Sequence, residues 1–449
     1  MRPDGARSLA PLPTSVAWTL GAHGLIALAL ARSDGLAQPF ALVLLVLTGP
    51  AILLAIRATR DPSRTWNGAV PLAWTFALAS AISLFDLPPG RSIAKDVAYA
   101  PFLVLSALTV GLVASYAVDL WGARPVGPRL ASVRRWALLA LAAALGAWLI
   151  RASPAPAIDV WQIHQQGADA LVHGRSAYGE GVIASEDTRS HARVIAVYMY
   201  PPLNLVLTSA GYALTGETRW AQLAAMLAGG ALMWLVAHRA SGRAAFADLL
   251  VACLLFHPRG LFVLEQAWGE PLALPFLAGF ALTVSSGRFR TAAVLAGLLV
   301  AMKQHFILYL PALALVPGIG LSGALIALGV AIATYVPFAV ATPAGLFAAV
   351  VLHHLGNPFR EDSLSVTATL ARFGWRLPSW VGMVAALATY GALPRIPRTV
   401  GALLLASSLT FLVFFALGRQ AFCNYYYLLD GTLLVAAAAL ADRRVPREE

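Results

Sequence analysis

Between Ser15 and Leu440 the sequence returns repeatedly to apolar runs that are long enough, or nearly so, to cross a bilayer, joined by short links rich in arginine. A helix needs about 20 such residues to span the hydrocarbon core, and a soluble domain has no use for so many. The composition agrees, with 59% hydrophobic and 12% charged residues and a mean hydropathy of +0.73. A chain of 449 residues with this pattern is an all-α, polytopic transmembrane bundle. The net charge of +11 would point to nucleic acid in a soluble protein, but here the arginines sit between spans. That is the footprint of topology, and no nucleic-acid partner is expected. Cys253 and Cys423 lie in or beside apolar runs with no CxxC spacing, so both read as small core residues. The opening MRPDGARSLAPLPTS lacks a charged-then-apolar stretch ending in a cleavage site, so the first helix is expected to stay as an anchor.

The first candidate spans are Ser15 to Arg32, Pro39 to Ile56, Val70 to Leu87, Ala98 to Val118 and Trp136 to Ile150. Arg2, Arg7, Arg57, Arg60, Arg64, Arg124, Arg129, Arg134 and Arg135 then fall on one side, which the positive-inside rule makes the cytoplasm. The polar loop over 151–218 is sent outside. Pro201 and Pro202 suit a helix start, so YPPLNLVLTSAGYALTG is expected to lie along the surface without crossing. The later spans are Trp220 to Ala237, Ala244 to Leu261, Ala267 to Val284, Thr291 to Met302, Phe306 to Pro317, Leu321 to Ala341, Ser379 to Leu393, Thr399 to Leu417 and Phe422 to Leu440. This order keeps Arg239, Arg243, Arg288, Arg290, Arg395, Arg398, Arg443, Arg444 and Arg447 inside, with about 14 spans and both termini cytoplasmic. It requires Thr291 to Pro317 to be two short helices meeting at Lys303, Gln304 and His305. Each is about 12 residues, or about 18 Å, so the junction sits below the membrane surface and Lys303 lines a recess.

On this topology carboxylates, a lysine and histidines converge on the outer face. Charges at membrane depth cost about 2.5 to 3.5 kcal/mol each on insertion and call for a partner or a polar cavity. Lys303 is one of only two lysines in the chain, which argues against incidental decoration. Asp159 follows a span and opens the helical pattern Val160, Ile163, Gly167, Ala168, Leu171. It reads equally as a catalytic carboxylate and as a helix N-cap with Gln162 three residues on, and the roles are compatible. Glu265 and Glu270 are either functional or the solvated ends of helices. His353 and His354 show no HxxxH or HExxH spacing and read as loop residues. Tyr425, Tyr426 and Tyr427 fit an interfacial aromatic belt better than a sugar-stacking platform. Arg360 and Asp362 either pair with each other or contact a headgroup.

Taken together, DVWQIHQQGADALVHGRSAYGE after a span, YMYPPLNLVL, FVLEQAWGEPL and MKQHFILYLP resemble the GT-C class of integral-membrane glycosyltransferases, and within it the bacterial polyprenyl-phosphomannose-dependent mannosyltransferases. The likeness covers about Arg134 to Leu440, within a glycosyltransferase-like domain taken as 134–449, and residues 1–133 read as an added four-helix module with no assigned role. The resemblance implies transfer of a sugar, mannose or another hexose or pentose, from a polyprenyl-phosphate donor to a glycan, lipid or protein acceptor at the outer face of a bacterial inner membrane. It implies that Asp159 is the general base on the acceptor hydroxyl, and that a single displacement inverts the anomeric centre. Lys303 or Arg360 would hold the leaving phosphate, as would Arg419, while Glu265, Gln266, His305 and Tyr200 would contact substrate. Several GT-C branches carry a doubled acidic motif, but Asp159 is followed by Val160 and Asp169 lies too far along to replace the second acid. No cofactor is expected, and a divalent metal is unsupported.

A transporter or lipid flippase is the main alternative. It would show inverted repeats, paired helix interruptions and ionisable residues near the bilayer midplane, whereas the one interruption visible is at Lys303. A noncatalytic envelope scaffold would tolerate asparagine at Asp159, which still caps a helix but takes no proton.

Overall fold

The computed structural model describes residues 11–122, 126–179, 183–186, 193–196, 198–356, 359–378, 380–391 and 396–442. Arg2, Arg7, Arg124, Arg395, Arg443, Arg444 and Arg447, which carry part of the expected sidedness, lie outside them. The chain is helical throughout, and among the described residues strands are confined to two short antiparallel pairs, Leu12–Pro13 with Thr65–Trp66 and Ile183–Glu186 with Arg193–Ala196. The first half comprises α1 (Thr14–Ser33), α2 (Pro39–Ala58), α3 (Ala69–Asp86), α4 (Ala100–Ser115), α5 (Ala117–Trp121), α6 (Pro128–Ala152), α7 (Asp159–Val172), α8 (Pro202–Thr215) and α9 (Arg219–Ser241). Then come α10 (Ala244–Leu255), α11 (Gly260–Glu265), α12 (Glu270–Ser285), α13 (Phe289–Val300), α14 (Leu310–Leu313), α15 (Gly320–Ala333), α16 (Val336–Ala341), α17 (Pro343–Phe347) and α18 (His353–Gly356). The last four are α19 (Val366–Ala371), α20 (Trp380–Thr389), α21 (Val400–Ala416) and α22 (Cys423–Leu440).

Among the described residues six helices are long and apolar enough to cross a membrane: Thr14–Ser33, Pro39–Ala58, Ala69–Asp86, Ala100–Trp121, Pro128–Ala152 and Arg219–Ser241. Shorter apolar helices complete a multi-pass membrane bundle. The expected span Ala244 to Leu261 breaks into α10 and α11, because the chain turns at Phe256 and His257.

The first four spans share the core of the rest. Helix α1 packs on α2 and α22, α2 on α21, and α3 on α10, so one buried apolar cluster runs from Leu12 to Ala441. Gly35, with φ of +77°, lies against the backbone of Cys423, and a side chain there would overlap it. First and last helices are thereby locked end to end.

The chain folds back at Lys303, as expected. Helix α13 ends at Val300, and a 3-10 turn (Gln304–Tyr309) followed by α14 returns the chain. At Gly318, φ +79°, it packs against the ring of Phe289, the residue that opens α13. A chain leaving Phe289 and meeting it again has turned back within the bundle.

Helices α7 and α8 pack on each other. Pro202 opens α8 and Gly216, φ +78°, closes it, as the YPPL reading anticipated. A second small apolar cluster, including Ile163, Tyr178, Tyr198, Leu205 and Leu346, binds this layer to the 343–352 segment. The buried face of α7 is Ile163, His164, Gly167, Ala168 and Ala170, rotated from the expected stripe because His164 turns inward to meet Tyr198.

Candidate functional site

At the end of the bundle where α1, the α3–α4 turn, α7, Lys303 and the start of α22 meet, the chain encloses a cavity of about 690 Å³. Asp159, Tyr200, Gln266, Lys303, His305 and Arg360 all line it. Residues far apart in sequence thus reach one pocket.

Asp159 is placed by a local switch in backbone. Ile158 is extended (φ −143°, ψ 139°) and occupies the N-cap, so Asp159 is the first helical residue and not the cap the spacing suggested. Its Oδ1 accepts the Val160 N–H at 2.8 Å, so it still satisfies one of the donors left open at the helix start. Just upstream, the Ala157 N–H donates to Ser92 Oγ at 3.0 Å, which ties the entry of α7 to the α3–α4 turn.

On another wall Lys303 is ion-paired with Glu270. Glu270 Oε1 also accepts from Asn424 Nδ2 at 2.7 Å. The ammonium lies 4.9 Å from the Tyr425 ring and 5.9 Å from the Tyr200 ring, a cation held between aromatic faces. Lys303 therefore arrives already partnered, and a phosphate would share its three donors with Glu270. Tyr200 connects the two walls. Burial holds its phenol well above the usual range, and the Asp159 and Glu270 carboxylates push the same way. His164 stacks on Tyr200 at 4.6 Å, and its Nδ1 shares a hydrogen bond of 3.1 Å with the Tyr198 hydroxyl. Burial, reinforced by Lys303, pushes its imidazole down to about 3, so it is neutral.

Glu265 departs from the expected substrate contact. It is 0% exposed and stands behind the wall. Its carboxylate accepts from the Arg91 N–H and the Ser92 N–H, both at 2.7 Å, and from Ser153 Oγ and Gln266 Nε2, both at 3.0 Å. Four donors occupy it. The carboxylate works on protein backbone, while its neighbour Gln266 faces the cavity.

Arg360 and Asp362 pair bidentately, at 2.8 and 2.9 Å, the first of the two arrangements that NPFREDSLS allowed. Phe422 lies under the guanidinium at 4.9 Å. His305 packs among Phe306, Phe414, Phe415 and Tyr425, and its Nε2 is buried with no hydrogen-bond partner among the described residues. The tyrosine triplet is not a belt: Tyr426 and Tyr427 are in the core, with the Tyr426 hydroxyl bonded to the Leu364 carbonyl, and Tyr425 faces Lys303. His353 and His354 belong to the short helix α18, and His354 Nε2 meets the Met199 carbonyl at 3.0 Å. Asp169 sits outside the cavity with Tyr212, His173 and Arg175, where the Tyr212 hydroxyl in particular holds its carboxyl low. Among the described residues no three His, Cys, Asp or Glu side chains gather as metal ligands do.

The N-terminal spans contribute cavity residues that the sequence did not reveal. Asp34, Arg91 and Ser92 all line it. Asp34 bridges Arg91, at 2.7 Å, and Arg259, and both guanidiniums lie by the Phe262 ring, at 5.3 and 5.4 Å. Only the turn composition LPPGRS hinted at anything there.

No family model matches the chain, and no curated protein matches it. Among solved structures it is similar to the crystal structure of ArnT from Cupriavidus metallidurans bound to undecaprenyl phosphate, with 19% identity and a TM-score of 0.42 over 63% of this chain. The match spans 55% of that chain, about half its length.

Proposed function

We propose that the protein is a membrane glycosyltransferase that moves a sugar from a polyprenyl-phosphate donor to an acceptor hydroxyl. The observation that carries the reading is the sharing of one cavity by Asp159 and Lys303 at one end of an apolar bundle. Asp159 is the general base. As the acceptor oxygen attacks the anomeric carbon, its proton passes to the carboxylate. The bond from that carbon to the polyprenyl-phosphate oxygen breaks, the electron pair leaves with the phosphate, and the configuration inverts. Lys303 shifts part of its charge from Glu270 to the departing phosphate, with Tyr200 and Tyr425 holding the ammonium in place. The paired Arg360 lies at the same cavity as a second cation.

Sidedness supports an outward-facing site. Arg64 meets Thr14 at the start of α1, whereas the residue after that helix, Asp34, lines the cavity, and Arg239 joins Ser286 at 2.9 Å, past the end of α12 opposite Glu270. By the positive-inside rule we read the end away from the cavity as cytoplasmic, with both termini on the same side, and take the membrane to be a bacterial inner membrane. The sugar is mannose or a related hexose or pentose on the strength of the sequence likeness, and the acceptor is an envelope glycan, lipid or protein.

The test is to incubate membranes containing the protein with a panel of radiolabelled polyprenyl-phosphate sugars and identify the labelled product. Asp159→Asn should lower transfer at least about 100-fold, the usual worth of a general base, while expression and melting stay unchanged. Full activity in that variant rules out the base assignment. Failure of every donor in the panel rules out the proposed reaction.

A further inference from the structure

The turn between α3 and α4 is pinned from several directions. The Pro88 carbonyl accepts from Arg259 Nη1 at 3.1 Å, and the Ala94 N–H donates to the Ala152 carbonyl at 2.8 Å. Between these points Glu265 takes the successive N–H groups of Arg91 and Ser92. Gly90 lies so close to the Glu265 carboxylate that a methyl group there would overlap it. The carboxylate also holds Ser153, at the end of α6. A fully buried acid with three of its four bonds going to one turn and one helix end, and the fourth to the neighbouring Gln266 side chain, is costly to keep unless the geometry it sets matters. The geometry it sets leads to Asp159: Ser92, fixed by its own N–H, offers its Oγ to the Ala157 N–H, two residues before the carboxylate.

We infer that Glu265 and Ser92 are positioning residues for Asp159, with the acid fixing the turn and the serine passing that setting to the entry of α7. The inference rests on Asp159 being the base. It gives the N-terminal spans a role: the turn they supply holds the reactive carboxylate in register with Lys303. It also replaces a ligand role for Glu265, whose oxygens are occupied by donors of the chain itself.

The test uses the full-length protein in nanodiscs and reads two quantities. The first is hydrogen exchange in the Ala157–Trp161 segment. Ser92→Ala should exchange about five-fold faster there, the effect of one lost hydrogen bond, and Ser92→Thr, which keeps the hydroxyl, should match the wild type. Glu265→Gln presents an amide to at least one backbone donor and should speed exchange in both the 90–94 and the 157–161 segments. The second is transfer kinetics with the donor identified by the panel. Ser92→Ala and Glu265→Gln should lower kcat about ten-fold with the donor KM unchanged, and Ser92→Thr should restore kcat. If Glu265→Gln does not fold, the Ser92 pair decides alone. Unchanged exchange at 157–161 overturns the proposal, as does a loss of kcat that Ser92→Thr does not rescue. Wild-type protein that transfers no sugar refutes the transferase reading, and the exchange data then decide the structural coupling without it.

Discussion

Lys303 and Glu270 form a pair whose side chains are 8% and 0% exposed. Removing one member of such a pair leaves a charge with no counter-charge, which costs about 3 to 5 kcal/mol. In Lys303→Met the surviving carboxylate keeps its Asn424 bond, so the lower end applies, about 3 kcal/mol. In Glu270→Gln the ammonium keeps an amide oxygen and the Tyr200 and Tyr425 rings but loses its counter-charge, and the loss is similar. The double variant Lys303→Met with Glu270→Gln buries no charge, and the new amide oxygen still accepts from Asn424, so its cost should be no more than about 1 kcal/mol. The singles would then sum to about 6 kcal/mol against about 1 for the double, a coupling of several kcal/mol. The assay is reversible unfolding in mixed micelles, followed through the fluorescence of the 12 tryptophans. Additivity of the singles within about 0.5 kcal/mol would refute the ion pair as the source of stability. The same double variant separates fold from function. It should fold like the wild type and fail to use a polyprenyl-phosphate donor, and undiminished donor use would remove Lys303 from the phosphate site.

The remaining predictions concern the layer above the bundle. His164 is neutral in the fold, with its pKa near 3, while the unfolded chain takes up a proton below about 6.5. Its contribution to stability is whole above pH 6.5 and falls as the pH drops toward 3, by up to about 1.4 kcal/mol per pH unit. His164→Gln should remove that slope from the melting-versus-pH curve, and an unchanged slope would show that the imidazole is not buried neutral. Gly345→Ala should cost about 1 to 3 kcal/mol in melting, because the added methyl overlaps the Tyr178 carbonyl. Since the Tyr178 hydroxyl holds the Tyr200 carbonyl at 2.7 Å, donor affinity should weaken with it, and a silent substitution would mean this segment is free to shift.

Much of the frame was legible because it depends on period and parity. The turn-back at Lys303 followed from the need to keep later arginines on one side, and the start of α8 from two prolines. The cavity residues Asp159, Tyr200, Gln266, Lys303, His305 and Arg360 could be picked out as polar groups in outward links. Partnership could not be read in the same way. Nothing in LEQAWGE says that Glu265 is saturated by the amides of a turn 173 and 174 residues away, while its neighbour Gln266 faces the cavity. Nor does the sequence show that Arg91 and Ser92 reach the site, since a span with no counterpart in the resembled family offers no motif to transfer. The tyrosine triplet failed for a third reason: three adjacent rings look alike in sequence, but a helix turns them to different faces.

The meeting of the first and last helices also constrains how the protein comes to exist. His23 on α1 lies 2.8 and 2.9 Å from the two Asp430 oxygens on α22, across 407 residues of chain. At 5 to 20 residues per second, about 20 to 80 s of synthesis separate the two. Through that interval the newborn α1 sits in lipid with an imidazole that has no acid to meet, and its contact face for α22 stays bare. A quality-control protease thus has a long opportunity at α1. Released chains truncated before Cys423 should be cleared faster than full-length chains, and equal lifetimes would show that α1 finds another shelter while it waits.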